Sequence, residues 1–368
     1  MKFLKNKNIL IISPEPWGKS MLSKHHYAVA LVENQNNVFF LQTANADENI
    51  AATYKKKDVH LLNDHYTVRG ARYIPSALRK MIYRNKVKQI CKDAGVQFDL
   101  IWSFDNSRFF DLDAFGSAFT IHHMMDYHTD YQTRTASESA NLCLGVTTGI
   151  VEKLKQYNPR SYFIHHGYNP QLSEHFPLPE YNGKKALYTG NLLMQFVNWP
   201  WMINLVKNNP EVHFFFAGSY GLGNLNPHIN NLQLEQVKIV ASYSNVTLLG
   251  ECRPEEIQSY TRQVDILFFA YKANEFPNIV ANSHKIMAYL ASGRPVVSHK
   301  IKEYEGKDLI YMCEDEGEFL NTFRNIIDHP EIFATEDIIR KRQLWALDNT
   351  YQRQIERIDS LIDEIISA

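Results

Sequence analysis

A chain of 368 residues exceeds the size at which a single core keeps growing, so two domains are expected. An apolar fraction of 45% and an aromatic fraction of 12% are enough for packed cores and argue against disorder, while 39 Lys and Arg against 40 Asp and Glu leave no basic surplus for binding nucleic acid. Cys91, Cys143, Cys252 and Cys313 lie far apart without a C-x-x-C pair, which reads as a reduced, cytoplasmic protein with buried thiols.

Residues 8–13 read as a buried strand whose apolar run, Ile9-Leu10-Ile11-Ile12, is too short for a signal sequence or a membrane span. No other stretch is long and apolar enough, so any membrane contact is expected to be peripheral. The loop Pro14-Glu15-Pro16-Trp17-Gly18-Lys19-Ser20 feeds a helix over about 21–33, and a second strand follows at 38–41. Strand, loop, helix, strand opens a doubly wound α/β domain, in which ligands sit beyond the carboxyl ends of the strands. Trp17, His25 and His26 therefore lie at the edge of a site. Adjacent histidines on a helix face different ways, so one is expected to pack while the other can reach a substrate hydroxyl or phosphate.

Residues 58–62 form a further strand. Residues 76–88 are helical, with Leu78, Met81 and Ile82 on one side and Arg79, Lys80, Arg84, Lys86 and Lys88 around it. This pattern fits a core-packed helix with a solvated charged face, or a helix that lies on an anionic membrane and presents a lipid-linked acceptor. Strands follow at 98–103 and 118–121, the second running into His122-His123-Met124-Met125-Asp126-Tyr127-His128. An acid and three histidines just past a strand end lie where such sheets keep their chemistry. Asp126 would serve as a base if burial raised its pKa, or else would cap the next segment. The histidines lack the i, i+4 pair plus glutamate of a zinc motif, so no metal site is expected.

Residues 170–184, with Pro170, Pro177, Pro179 and Gly183, read as a linker between a first domain over 1–169 and a second over 185–340, with a helical tail over 341–368. The second domain repeats the α/β pattern. A strand at 185–188 ends in Thr189-Gly190-Asn191, another at 212–217 ends in Gly218-Ser219, and a third at 264–269 leads into the polar loop 272–282. Glycines after strands let a backbone approach a phosphate or make a tight turn. The tail carries Ile355, Ile358, Ile362 and Ile365 at spacings of three and four, an apolar stripe.

The organising stretch is Asn282-Ser283-His284-Lys285-Ile286-Met287-Ala288-Tyr289-Leu290-Ala291-Ser292-Gly293-Arg294-Pro295-Val296-Val297-Ser298: a polar loop, a short amphipathic helix stopped by Gly293, and a strand. A helix N-terminus with Lys285 in its first turn suits a phosphate or pyrophosphate, although a surface lysine on an ordinary helix has the same spacing.

The run HKIMAYLASGRPVVS resembles the K-x-x-E-Y-L-A-x-G-x-P-V-V segment of GT-B nucleotide-sugar glycosyltransferases, in particular bacterial polysaccharide and teichuronic-acid-type enzymes related to family 4. Asn245-Val246 with Gly250, Glu255-Glu256 and Asp265 are similar to further landmarks of that family, in the same order. The resemblance implies a GT-B fold: two doubly wound, Rossmann-like domains facing across a cleft, with a C-terminal helix that crosses back to the first domain or packs on its own. It also implies a metal-independent hexosyltransferase without a cofactor. Its donor would be a nucleoside-diphosphate sugar, its acceptor a saccharide or lipid-linked molecule in bacterial-type surface polysaccharide or glycoconjugate synthesis, and its place the cytoplasm, either free or peripheral on the inner membrane face.

On this resemblance Lys285 contacts the donor diphosphate beside Gly190, with Asn282, Ser283 and His284 in the donor-gripping segment. Asp126, with His26, would manage the acceptor proton, and Trp17, His25 and His123 would meet the acceptor. The family's ribose-binding glutamate is replaced by Ala288, and Val280 stands where a preceding acid is expected; Glu275 is the candidate substitute. A nucleotide-sugar isomerase on the same fold and a non-catalytic nucleotide-sugar-binding subunit are the alternative readings.

Overall fold

The computed structural model describes residues 3–17, 21–43, 53–56 (backbone only), 58–128, 130–170, 175–221, 230–277 and 282–368. Gly18, Lys19 and Ser20 of the Trp17 loop and Val280 lie outside the described residues. The chain divides into two compact units, one of residues 1–167 with 351–368, the other of residues 168–350.

The first unit is built on β1 (Asn8–Ile12), α1 (Ser23–Glu33), β2 (Asn37–Gln42), β3 (Thr53–Lys56), β4 (Val59–Asn63), α2 (Ser76–Ala94), β5 (Leu100–Ser103), β6 (Phe119–Met124), α3 (Tyr131–Ser139), β7 (Leu142–Gly145), α4 (Thr148–Lys155) and β8 (Ser161–Phe163). Its sheet runs β3-β4-β2-β1-β5-β6-β7-β8, parallel throughout except for the antiparallel β3–β4 pair. Strands such as β1 and β5 are apolar along their length because helices cover both faces of a parallel sheet.

The second unit continues with β9 (Lys184–Thr189), α5 (Trp199–Asn208), β10 (Val212–Ala217), α6 (Asn231–Ala241), β11 (Val246–Gly250), α7 (Pro254–Arg262), β12 (Ile266–Phe269), α8 (Lys285–Ser292), β13 (Val296–His299), β14 (Tyr311–Cys313), α9 (Glu316–Asp328), α10 (Pro330–Phe333) and α11 (Glu336–Asp348). Its sheet is fully parallel, in the order β11-β10-β9-β12-β13-β14. The order reverses between β9 and β12, which makes their carboxyl ends the switch point of this unit. The stretch 175–183 belongs here, tied down by the Phe176 N–H on the Ser259 hydroxyl (3.0 Å) and the Leu178 N–H on Gln263 (3.1 Å).

The tail is two helices rather than one continuous helix. α11 ends before Asn349, whose carbonyl accepts the Tyr168 N–H at 2.8 Å, and Thr350 pairs with Tyr168 as a short bridge. Those backbone bonds interrupt the helical ladder. α12 (Tyr351–Ser367) then returns to the first unit, burying Ile355, Ile358 and Ile362 among residues of β1 and α1 such as Ile9, Ile11 and Leu31. The Asp359 carboxylate accepts the N–H groups of Phe3 (3.1 Å) and Leu4 (2.7 Å), so the two chain ends are tied together.

α2 sits the other way round from the apolar pattern of its sequence. Leu78 and Met81 are exposed, whereas Arg79 is buried, donating to Asp111 (3.3 Å) and the Ile74 carbonyl (3.0 Å) with its guanidinium over Phe110. The inward face of the helix is instead made by Arg79, Tyr83 and Ile90, with Val87 and Cys91 packed against the same core. No helix among the described residues is long and apolar enough to cross a membrane.

Candidate functional site

Lys285 opens α8, which is held against the sheet by Ile286, Met287, Tyr289 and Leu290 and stops at Gly293, a left-handed residue with φ 77°. The Tyr289 hydroxyl accepts the Thr189 N–H at 2.7 Å, locking the helix to the carboxyl end of β9. That fixes Lys285 at the switch point between β9 and β12. Its side chain is 7% exposed, and it turns inward: Nζ lies 4.3 Å from the ring centre of Tyr188, 5.0 Å from that of Tyr271 and 5.3 Å from that of Phe269. The ammonium donates to the Tyr271 hydroxyl at 2.5 Å.

Among the described residues no carboxylate pairs with it, and burial alone lowers its pKa to about 7. Three aromatic faces attract a cation but do not neutralise it. A buried cation without a counter-ion at the first turn of a helix is suited to an anion.

Gly190 completes this corner. Its φ is 136°, and a Cβ there would stand 2.7 Å from the Lys285 ammonium. Its N–H donates to the Ala217 carbonyl (2.8 Å), and a Cβ on Gly218 would fall 1.8 Å from the Gly190 carbonyl oxygen, so the two glycine turns interlock backbone to backbone. Asn282 is buried beside the helix start, Ser283 is half-buried and adds a hydrogen bond to Tyr271, and His284 is exposed. Glu275 is exposed and pairs only loosely with Lys272, 3.7 Å away. Arg294 donates to the Arg262 carbonyl at 2.7 Å, a structural tie.

In the first unit the residues beyond the strand ends divide into packing and polar groups. His25 is buried, accepting the Leu22 N–H at Nδ1 (2.9 Å) and donating from Nε2 to the Pro16 carbonyl (3.2 Å), and burial pushes its pKa down to about 4. Both of its nitrogens are thus taken up in holding the loop onto α1. Trp17 is buried edge-on to His25 and Phe40. His26 is half-buried and stacks on Tyr351 at 4.9 Å.

His123 is fully buried against Phe104 and Trp102, and burial lowers its pKa to about 3. Its Nδ1 accepts from the Trp102 indole at 3.3 Å, which puts the ring proton on Nε2, and Nε2 has no hydrogen-bond partner among the described residues. His122 meets the Ser137 hydroxyl at 3.1 Å.

Asp126 is exposed rather than buried, and the cap of α3 is Asp130, which accepts the Thr133 N–H at 2.7 Å. Among the described residues no three His, Cys, Asp or Glu side chains are grouped to hold a metal.

Two groups went unread in the sequence. Lys24 is buried in the first turn of α1, paired with Glu15; burial lowers its pKa to about 8, against the charges of Asp126 and Asp105. Arg108 is buried between Asp105, Asp64 (3.0 Å) and the Ser13 carbonyl, bridging the ends of β1 and β5. A lysine among helix residues carries no signal that it faces inward. Arg108 lies only three residues beyond Asp105, and that spacing was the one available clue.

Two doubly wound parallel units in one chain, with a terminal helix returning to the first unit and a lysine at the switch point of the second, define the GT-B fold. Over nearly its whole length the chain is similar to solved structures of that fold. Sucrose-phosphate synthase from Thermosynechococcus elongatus matches with a TM-score of 0.71 at 13% identity, covering 98% of this chain and 99% of that one. Anabaena HepE in complex with UDP matches at 0.70 and 14% identity, covering 97% and 100%. A trehalose-6-phosphate structure from E. coli bound with UDP-2-fluoro glucose matches at 0.69 and 10% identity, covering 96% and 98%. No family model and no curated relative matches the sequence.

Proposed function

We propose that this chain is a nucleotide-sugar-dependent glycosyltransferase that moves a hexosyl group from a nucleoside-diphosphate donor to a saccharide or lipid-linked acceptor. The observation that carries the reading is Lys285: a buried ammonium with aromatic neighbours, no carboxylate partner among the described residues, and the Gly190 backbone beside it. Solved structures of this fold hold UDP and UDP-2-fluoro glucose, which supports a nucleoside diphosphate as the anion.

The chemistry follows from charge. As the glycosidic bond breaks, negative charge collects on the leaving diphosphate. A fixed ammonium and the N-terminal amides of α8 stabilise that charge without having to reorganise, which removes the need for a metal ion. Asn282, Ser283 and His284 adjoin this point and are assigned to the donor, with Glu275 in the loop before them as the ribose contact in place of Ala288. In the first unit, Asp126 is the candidate base and His26 its neighbour in the acceptor-side set. His123, Trp17 and His25 are buried and support the acceptor-side surface from beneath. The site of action is assigned to the cytoplasmic side, at the membrane face where a lipid-linked acceptor would be met.

Donor consumption in the presence of a saccharide or lipid-linked acceptor, with UDP- and GDP-hexoses as donors, tests the reading. Lys285→Ala is expected to lose about 100-fold or more in turnover, the scale of removing one fixed donor to a developing anion. Turnover equal to wild type in that variant removes the assignment. Product formed from donor with no acceptor indicates an isomerase, and nucleotide binding without turnover indicates a binding subunit.

A further inference from the structure

Lys285 finds its oxygen partner in the phenol of Tyr271, 2.5 Å away. Tyr271 is itself fixed on every side. Its N–H donates to His299 Nδ1 at 3.2 Å, its backbone bridges to Val197, and its ring packs edge-on against Phe196 at 4.9 Å. The residue lies just past the end of β12, separated from Phe269 by Ala270, and its bridge to Val197 holds it there. A neutral oxygen so held can orient an ammonium but cannot cancel its charge, which leaves room for a stronger acceptor.

We propose that Tyr271 is the positioning residue of this site: its phenol oxygen keeps the Lys285 ammonium at the switch point in the free protein and is exchanged for a phosphate oxygen when the diphosphate binds. The inference rests on the function proposed above and extends it to a residue that touches the lysine rather than the sugar. The titratable groups facing Lys285 are the phenols of Tyr188 on β9, Tyr271 after β12 and Tyr289 on α8, all held protonated by burial. Lys272 and Glu275 in the following loop, His284 before the helix and His299 behind Tyr271 complete the nearby set. Glu275 is turned to Lys272, and no carboxylate among the described residues pairs with the ammonium, so the phenol is the group that favours its charged form.

The test has an arm without ligand and an arm with it, in wild type and Tyr271→Phe. In the first, 13C-labelled lysine side chains are titrated by NMR, with the Lys285 signal assigned by its loss in Lys285→Arg. Wild type is expected to titrate near 7, and Tyr271→Phe about one unit lower, the size of one hydrogen bond to a charged group. In the second, binding of UDP and of inorganic pyrophosphate is measured by calorimetry from pH 5.5 to 8.5. Tyr271→Phe is expected to match wild type at pH 5.5 and to bind about tenfold more weakly at pH 8.

An equal loss at every pH, or no change in either arm, overturns the positioning role. Absence of nucleotide binding in wild type overturns the functional reading as well, and the ligand-free titration then states whether the phenol holds the lysine at all.

Discussion

The Lys285 ammonium stands 2.7 Å from the point where a Cβ on Gly190 would be, so the glycine that ends the first strand of the second unit and the lysine that opens α8 exclude anything larger between them. Gly190→Ala therefore has two costs. The φ of 136° is strained for any residue with a side chain, and the new methyl pushes into the ammonium. A loss of about 1–3 kcal/mol in stability is expected on the backbone strain alone. Nucleotide affinity should fall by at least about tenfold, equivalent to 1.4 kcal/mol. Urea unfolding and calorimetry with UDP separate the two, and unchanged affinity in a folded variant would detach Gly190 from the site.

Lys285→Met makes the opposite trade. The lysine has a folded pKa of about 7 against 10.5 for the free side chain, a depression caused by burial. Between those values the unfolded chain holds the extra proton, so wild-type stability should rise with pH from about 7 to 10.5 on account of this group, and the rise should vanish in the methionine variant. Replacing a buried charge with an apolar side chain of similar length is expected to stabilise the protein by about 1–3 kcal/mol near neutral pH while abolishing nucleotide binding. Thermal melts from pH 6 to 9 measure it. A variant less stable than wild type across that range would mean the ammonium has a counter-charge.

The alternation of strands and helices, the glycine turns and the start of α8 were legible because each rests on local signals: apolar runs of strand length, a left-handed stop at Gly293, and the order of landmarks around it. The chemistry of the first unit was not. His25 and Trp17 read as edge-of-site groups because they follow a strand end; the histidine expected to pack is His25, and both it and Trp17 pack against Phe40. Asp126 looked like a buried acid or a cap, and the cap is Asp130, four residues on. Lys24 and Arg108 carry buried charges that only their partners from other elements explain, Glu15 for one, Asp64 and the Ser13 carbonyl for the other. Sequence spacing does not report such partners.

The returning helix gives a stability prediction. Ile358 on α12 is fully buried in the core that also holds Ile9, Ile11 and Leu31 of the first unit. Ile358→Asp introduces a charge into that core and is expected to cost about 4 kcal/mol or more, whereas Ser360→Asp on the exposed side should stay within about 0.5 kcal/mol. Because α12 belongs to the first unit, near-UV dichroism of Trp102 and Trp17 should report its release while nucleotide binding by the second unit persists. Loss of nucleotide binding at the same denaturant concentration would show that the two units unfold together.

The inverted helix α2 leads to the last prediction. Its exposed side presents Leu78 and Met81 beside Arg84, Lys88 and Lys92, with Tyr73 and Arg72 just before it. Apolar side chains flanked by cations suit an anionic bilayer, each Lys or Arg near such a surface adding about 1 kcal/mol. Sedimentation with vesicles of anionic phospholipid, against vesicles of neutral phospholipid at the same salt, should recover the protein on the anionic ones only. Arg79 is not the residue to reverse, since it is buried on Asp111 and its loss would test folding. The informative variant is Arg84→Glu with Lys88→Glu, expected to weaken vesicle binding by at least about tenfold while leaving nucleotide affinity intact. A second variant, Met81→Asp, removes the apolar part without touching the cations. If both variants sediment like wild type, the exposed apolar residues of α2 have some other role than lipid contact.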